Sequence, residues 1–175
     1  MEIKISNEYL ELVVSTHGAE KQSLISKETG ISYLRDIDKY WNRHAPLLFP
    51  IVGKLKDGKT SILGNEYYMG QHGFARDMEF EEIGEHSYVL RSNEETLSKF
   101  PFKFELYISY QVDGDKVTTK YKVVNKDDKN MIFGLGGHPA YVCDYSSGKY
   151  HIEFEKEENN IEFYKLENGL VIKVP

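Results

Sequence analysis

The sequence predicts an all-β fold built mainly from antiparallel strands. The clearest pattern lies at 102–112, where apolar residues occupy every second position and mostly polar residues lie between them. Such alternation is typical of a strand with one buried face and one solvent-exposed face. Other alternating runs are separated by short turns rich in glycine, asparagine and aspartate, and only one short stretch carries helix signals. Together these observations favour a β-sandwich.

Two hairpins are predicted near the N-terminus. The first joins Glu2–Ser6 to Tyr9–Ser15. The second joins Lys21–Lys27 to Ile31–Arg35 through a tight turn that ends at Gly30, a residue type suited to such turns.

The alternation of apolar and polar residues is lost at 36–52. Pro46 and Pro50 exclude a regular helix or a central strand there, so we expect an apolar loop that folds under a site. A third hairpin, Ser61–Leu63 with Glu66–Met69, follows it.

The second half resumes as strands. Met78–Glu82 and Tyr88–Ser92 form a pair, and a short helix with Asn93 as its N-cap must end before Pro101. The strand at 102–112 then turns back into an alternating run at 117–123.

Three further strands are predicted towards the end of the sequence. They are Tyr150–Phe154, Ile161–Tyr164 and a run that begins at Leu170. The last run needs pairing partners that the sequence does not obviously contain, so the sandwich is expected to be incomplete at its C-terminal side.

Composition limits the class of protein. The 175 residues suit a single domain spanning 1–175, and 40% hydrophobic with 29% charged residues is typical of a soluble globular chain. The net charge of −6 argues against nucleic acid and anionic membranes as partners. Cys143 is the only cysteine, and the N-terminus lacks a signal-peptide pattern, so a cytoplasmic location is expected.

Two glycine-rich stretches each carry a histidine. They are 71–77, which contains His72, and 134–141, which contains His138. Histidine both gives and takes protons near neutral pH, and the neighbouring glycines permit close approach of backbone or ligand. We therefore predict that the two histidines meet in one cleft, although a single core histidine bonded to a carbonyl remains an alternative for each.

The neighbours of these histidines also have two interpretations. Arg76 either pairs with Asp77 in a turn or presents its guanidinium to a ligand. Trp41, Phe74 and Tyr141 either form an aromatic platform for a sugar or belong to ordinary core packing. No spacing of a common metal motif, dinucleotide fingerprint, phosphate loop or nucleophile elbow is present.

Three motifs together closely resemble the aldose 1-epimerase (galactose mutarotase-like) family, and in particular its bacterial LacX-like branch. They are PLLFPIVG at 46–53, QHGFARD at 71–77 and GGHPAY at 136–141. The resemblance runs along the whole chain in the same order. It implies a galactose mutarotase-like β-supersandwich that binds a hexose and interconverts its α and β anomers without a cofactor or metal.

The resemblance also implies roles for individual residues. His138 corresponds to the acid that protonates the ring oxygen, and His72 to the histidine that holds sugar oxygens and helps polarise the ring, so both are the expected catalytic residues. Arg76, Lys54, Phe74 and Tyr141 are the expected substrate-binding residues, with Arg76 in a motif that binds an anionic group in the sugar-phosphate branch. Lys54 stands where the family often has arginine, so the bidentate fork is lost there.

The family base is a glutamate in a late strand, and this chain has no matching motif for it. We therefore expect weak or absent catalysis. The alternative is a non-catalytic carbohydrate-binding protein or fragment of the same fold, and a structural or regulatory β domain is a third hypothesis. The motifs leave open whether the hexose is phosphorylated, and the incomplete sheet predicts association with a second copy or a partner chain.

Overall fold

The computed structural model describes residues 1–151, 153–157, 162–167 and 170–174. Strands dominate the described residues, and the strands of each sheet pair in an antiparallel manner. One α-helix is present among them, α1 at Glu94–Lys99. The prediction of an all-β fold is confirmed.

The first sheet has three strands in the order β1-β2-β3. Their bounds are Glu2–Ser6, Leu10–Ser15 and Glu20–Ser26. Strand β2 buries every second residue, which follows from its apolar alternation. The first predicted hairpin is thus confirmed, because β1 pairs with β2 along its whole length.

The second predicted hairpin is only half correct. Strand β3 forms, but 31–35 makes just one isolated bridge to it, between Ile25 and Ser32. Leu34 instead pairs with Tyr141. This segment therefore leaves the first sheet and joins the stretch that carries His138.

The second sheet has four strands in the order β10-β9-β8-β7. The strands β7 to β10 span Glu81–Gly84, Ser87–Arg91, Phe104–Asp113 and Lys116–Asn125. The alternation predicted at 102–112 is confirmed, since the apolar residues of the first part of β9 are buried. Helix α1 connects β8 to β9, and its predicted cap is confirmed because the Asn93 side chain accepts the Thr96 backbone N–H.

Six short strands form three further pairs. Strand β4 (Leu47–Leu48) pairs with β11 (Gly136–Gly137), β5 (Lys59–Ile62) with β6 (Asn65–Tyr68), and β12 (Tyr164–Glu167) with β13 (Leu170–Lys173). The prediction of a hairpin near Gly64 is confirmed by the β5–β6 pair.

The C-terminal strand predictions need correction. The described residues of 150–154 form no strand, because Tyr150 and Phe154 are exposed and bury no apolar face. Ile161 lies outside the described residues, and the strand expected there begins only at Tyr164. The final strand does form as β13, and β12 is its antiparallel partner, so the prediction that this strand has no partner in the sequence is wrong.

A single apolar core lies between the two larger sheets. Leu12 and Val14 of β2 contribute from one side, and Phe104, Leu106 and Ile108 of β9 from the other. The loop at 46–50, predicted to fold under the site, is buried within this core. Within the described ranges, no helix is long and apolar enough to cross a membrane.

Candidate functional site

The stretch that carries His138 is held by the buried loop at 46–50. Strand β11 pairs with β4, and the His138 backbone N–H donates to the Pro46 carbonyl at 3.0 Å. The approach is close, because a Cβ on Gly136 would lie 3.2 Å from a Val52 methyl group and that side chain would have to shift. This packing places the His138 side chain at the end of a short, fixed strand.

The stretch that carries His72 is held by the same loop. The backbone N–H groups of Phe74 and Ala75 both donate to the Phe49 carbonyl, at 3.0 and 3.1 Å. A Cβ on Gly73 would lie 2.3 Å from that carbonyl oxygen, so only glycine fits. Both predicted histidine stretches are therefore attached to 46–50, although more than sixty residues separate them in the sequence.

The structure brings the two imidazoles together. The ring centroids of His72 and His138 are 5.7 Å apart, with an angle of 65° between the rings. The Trp41 ring lies beside His138, with a centroid distance of 5.2 Å. We call these three side chains, Trp41, His72 and His138, the histidine cluster.

His72 has an unusual backbone and a defined tautomer. Its φ of 69° lies in the left-handed region, which costs free energy for a residue with a Cβ. Two reciprocal bonds hold it there: its N–H donates to the Gly53 carbonyl at 2.7 Å, and its Nδ1 accepts the Gly53 N–H at 3.0 Å. With Nδ1 accepting, the proton of the neutral ring is on Nε2.

The environment of His72 disfavours its charged form. Burial lowers the pKa of His72, and the positive charges of Arg76 and of a protonated His138 lower it further. Among the described residues, no carboxylate forms a hydrogen bond or ion pair with the His72 ring. A neutral His72 with its proton on Nε2 is a hydrogen-bond donor, which fits the predicted role of holding a sugar oxygen.

Arg76 lies next to the histidine cluster in a 3-10 turn at Ala75–Asp77. Its Nη2 donates to the Gln71 carbonyl at 2.8 Å, and its Nε lies 3.7 Å from the Asp77 carboxylate. The Nε atom is buried without a hydrogen-bond partner among the described residues. Both interpretations of Arg76 thus keep support, since it pairs with Asp77 and retains donor capacity.

The remaining predicted binding residues lie in three different places. Lys54 is exposed and directly follows Gly53, the residue bonded to His72. Phe74 is only 4% exposed and packs edge-to-face against Phe49 in the core. Phe74 therefore cannot offer a sugar its ring face, and the core-packing alternative describes it better.

Tyr141 is 59% exposed and lines a groove of about 440 Å³ beside the histidine stretch. Lys21 of β3 and Tyr33, in the segment that follows β3, also line this groove. Tyr141 offers the exposed aromatic surface that a sugar platform needs, whereas Trp41 supplies the ring that lies next to His138.

Sequence reasoning missed Tyr121 of β10. Its hydroxyl would lie 3.4 Å from a Cβ on Gly137, so it sits against the backbone that carries His138. Burial and the neighbouring Tyr141 raise the pKa of Tyr121, which keeps the hydroxyl protonated and able to donate. The available signal was that Tyr121 is the one aromatic residue in the alternating pattern of β10.

No group of three or more histidine, cysteine, aspartate or glutamate side chains is placed to hold a metal ion in the part of the chain that the structure describes.

Comparison with known proteins gives one consistent family. The model of the aldose 1-epimerase family matches residues 1–169. Two LacX proteins of Lactococcus lactis subsp. lactis, one encoded on a plasmid and one chromosomal, are 34% and 33% identical in alignments of 173 residues that cover 93% of this chain. The chain spans 58% of the length of these curated relatives.

Solved structures agree with the family match. A galactose mutarotase-like protein from Lactobacillus casei has 38% identity and a TM-score of 0.77, over 81% of this chain and 50% of that one. A galactose mutarotase related enzyme from Lactobacillus acidophilus has 34% identity and a TM-score of 0.80, over 98% and 60%. The fold is thus the galactose mutarotase-like β-sandwich, represented over 50–60% of these longer chains.

Proposed function

The chain belongs to the aldose 1-epimerase family, and on that basis we propose that it binds a hexose at the histidine cluster and interconverts the α and β anomers of that sugar. The observation that carries this proposal is the pairing of the two imidazoles, whose centroids are 5.7 Å apart beside Trp41. An aromatic ring next to two proton-carrying groups suits a ligand with hydroxyl groups and an apolar C–H face.

The proposed reaction has an acid and a base. His138 donates a proton to the ring oxygen while the hydroxyl on C1 loses its proton to a base. The bond between C1 and the ring oxygen breaks, and C1 becomes an aldehyde. Rotation about the C1–C2 bond presents the other face, and the reverse transfers close the ring as the opposite anomer. The protein supplies position and proton transfer, and no electron transfer is needed.

The other residues of the site would bind the sugar. His72 donates from Nε2 to a sugar oxygen, because Gly53 occupies its Nδ1. Arg76 would meet a hydroxyl or an anionic substituent through the accessible part of its guanidinium, since its Nε is buried. Lys54, Tyr121 and Tyr141 would contact the remaining hydroxyl groups or the C–H face.

A second candidate function is hexose binding without turnover. It is favoured by one observation, namely that among the described residues no carboxylate forms a hydrogen bond or ion pair with His72 or His138. The family resemblance assigns the base to a glutamate that matches none of the motifs here. Without a base the acid alone gives only a small part of the rate.

The two functions are separated by following the conversion of α-glucose and α-galactose to their β anomers by NMR. For a mutarotase we expect acceleration by the wild type, and a loss of about 10²-fold or more in His138→Ala. His17→Ala is the matched control, because His17 pairs with Glu79 rather than with the histidine cluster.

Each outcome selects one function. Acceleration that disappears in His138→Ala but persists in His17→Ala supports the mutarotase. Sugar-induced shifts of the His72 and His138 resonances without acceleration support binding alone. An absence of both acceleration and shifts for either sugar would overturn the proposal for these hexoses.

A further inference from the structure

A buried carboxylate lies behind the site, at the start of β3. Glu20 is 5% exposed, and its Oε1 accepts the backbone N–H groups of His44 and Ala45, each at 2.8 Å. Its Oε2 lies 3.7 Å from Nη1 of Arg43. A buried carboxylate is tolerated only with such partners, so Glu20 ties 43–45 to the first sheet.

Arg43 extends this connection to the loop that carries His72. Its Nη1 donates to the Arg76 carbonyl at 3.0 Å, and its Nη2 donates to the Asp77 carboxylate. The Arg43 side chain is 20% exposed and that of Asp77 is 51% exposed, so the bond to the Arg76 carbonyl is better shielded from solvent than the pair with Asp77. The planar guanidinium contacts three acceptors on two segments, which a lysine ammonium could not match in geometry.

The first sheet also contacts the same point directly. A Cβ on Gly18 would lie 2.7 Å from the Arg76 carbonyl oxygen, the atom that Arg43 binds. The first sheet and the segment at 43–45 thus both converge on the end of the His72 loop. The contacts involve two groups of this loop, namely the Arg76 carbonyl and the Asp77 carboxylate.

These contacts bear on the histidine cluster from both sides. Trp41 lies two residues before Arg43, and the Pro46 carbonyl that accepts the His138 N–H lies three residues after it. Arg76 and Asp77 lie four and five residues after His72. The bonds between Arg43 and residues 76–77 therefore connect the segment at 41–46, which carries Trp41 and binds the His138 backbone, to the loop that carries His72.

We propose that Glu20 and Arg43 are positioning residues that hold the Trp41 segment and the His72 loop at a fixed separation, and so set the spacing of the two imidazoles. Neither residue contacts the reacting atoms in this scheme. The inference rests on the proposed function in one respect, namely that hexose binding depends on that spacing.

Two conservative variants test this role. Arg43→Lys keeps the charge and most of the stem but loses the fork, and Glu20→Gln keeps an oxygen for the His44 and Ala45 N–H groups but loses the charge. Arg91→Ala is the control, because Arg91 also pairs with two glutamates, Glu81 and Glu105, but lies on the second sheet.

The readouts are chosen so that loss of stability alone does not move them. NMR gives the nuclear Overhauser contact between the His72 and His138 rings, and the titration midpoint of His72. We expect both variants to weaken that contact, to move the His72 midpoint, and to weaken hexose binding about tenfold. Arg91→Ala should leave all three at wild-type values.

The outcomes separate this inference from the proposed function. Variants that melt earlier but keep the wild-type ring contact, His72 midpoint and hexose affinity would overturn the positioning role. If the wild type binds no hexose, the proposed function fails, while the ring contact and the His72 midpoint still decide the positioning role. A change in one variant only would restrict the role to that residue.

Discussion

At the scale of single residues, His72 combines a strained backbone with a constrained ring. Its left-handed φ is held by the two bonds with Gly53, and Nδ1 is already occupied as an acceptor. Protonation of Nδ1 would set its N–H against the Gly53 N–H, in addition to the unfavourable burial and positive neighbours. The residue is therefore suited to donate from Nε2 while remaining neutral.

The lowered pKa of His72 predicts a pH dependence of stability. Burial, Arg76 and His138 keep the folded-state pKa below the ordinary value of about 6.5, so the unfolded chain binds more protons between the two values. The contribution of His72 to the free energy of unfolding is fully present above pH of about 6.5 and is lost as the pH falls through that window.

Urea unfolding of the wild type and His72→Gln at a series of pH values checks this prediction. We expect the unfolding free energy of the wild type minus that of His72→Gln to decrease as the pH falls below about 6.5, and to be constant above that pH. A difference that stays constant from about pH 5 to about pH 8, the range over which histidines titrate, would contradict the assignment.

Gly73 gives a prediction about packing at one atom. Its φ is +74°, and a Cβ would lie 2.3 Å from the Phe49 carbonyl oxygen. Gly73→Ala should lower the unfolding free energy by about 3 kcal/mol or more, because backbone strain and overlap add. Gly30→Ala is the matched control, with a φ of +70° and open space around the new Cβ, and should cost only about 1–2 kcal/mol.

Chemical denaturation of both variants gives the comparison. Equal losses at Gly73 and Gly30 would mean that the Phe49 carbonyl can move away, and that the His72 loop is not fixed to 46–50 as described.

At the scale of elements, the loop at 46–50 supports the site and belongs to the core. The Phe49 ring is fully buried among four aromatic partners, and its carbonyl accepts two N–H groups of the His72 loop. The partner rings are Phe74, Phe100, Phe104 and Phe133, with centroid distances of 5.1 to 6.3 Å. One residue therefore links core packing to the geometry of the histidine cluster.

Phe49→Ala should lower the unfolding free energy by about 3–5 kcal/mol, because it leaves a cavity among these rings. Tyr40→Ala is a control from the same segment, since Tyr40 is 80% exposed and should change stability by less than about 0.5 kcal/mol. A loss at Phe49 no larger than that at Tyr40 would show that the loop does not belong to the cooperative core.

At the scale of the whole molecule, an apolar surface lies near the histidine stretch. Ile132 is 87% exposed, and Phe133, Leu135 and Val142 are also exposed. Exposed apolar side chains of this kind favour association when they lie together on a surface. We expect the oligomeric fraction to rise with concentration, and Ile132→Asp to reduce it without a loss of stability.

Sedimentation velocity over a range of concentrations measures this, with Ile83→Asp as a control, because Ile83 is exposed on β7 and does not line the groove that contains Ile132. A wild type that stays monomeric throughout, or equal effects of the two variants, would remove Ile132 from any interface.

Local signals were sufficient for much of this architecture. The alternation of β9 and β10, the first hairpin and the Asn93 cap all follow from neighbouring residues, and each is confirmed. The meeting of His72 with His138 could also be predicted, because glycine-rich motifs at strand ends are distinctive. The 31–35 segment was mispredicted since its true partner, Tyr141, lies over a hundred residues away.

Other features depend on burial that no local pattern reveals. Phe74 sits beside a histidine in sequence, yet its ring is in the core because the backbone turns between them. Glu20 and Arg43 resemble ordinary surface charges until the first sheet and two loops are packed together. Long-range packing therefore decides which side chains reach the site.

The contact between Trp41 and His138 has a practical consequence for the study of this protein. Trp41 is the only tryptophan in the chain, and its ring lies 5.2 Å from the imidazole proposed as the acid. The tryptophan fluorescence of the unlabelled protein, excited selectively over its tyrosines, thus originates at the site itself. A panel of free and phosphorylated sugars can be screened by emission alone, and the quenching by each one reports occupancy where the chemistry is proposed to occur.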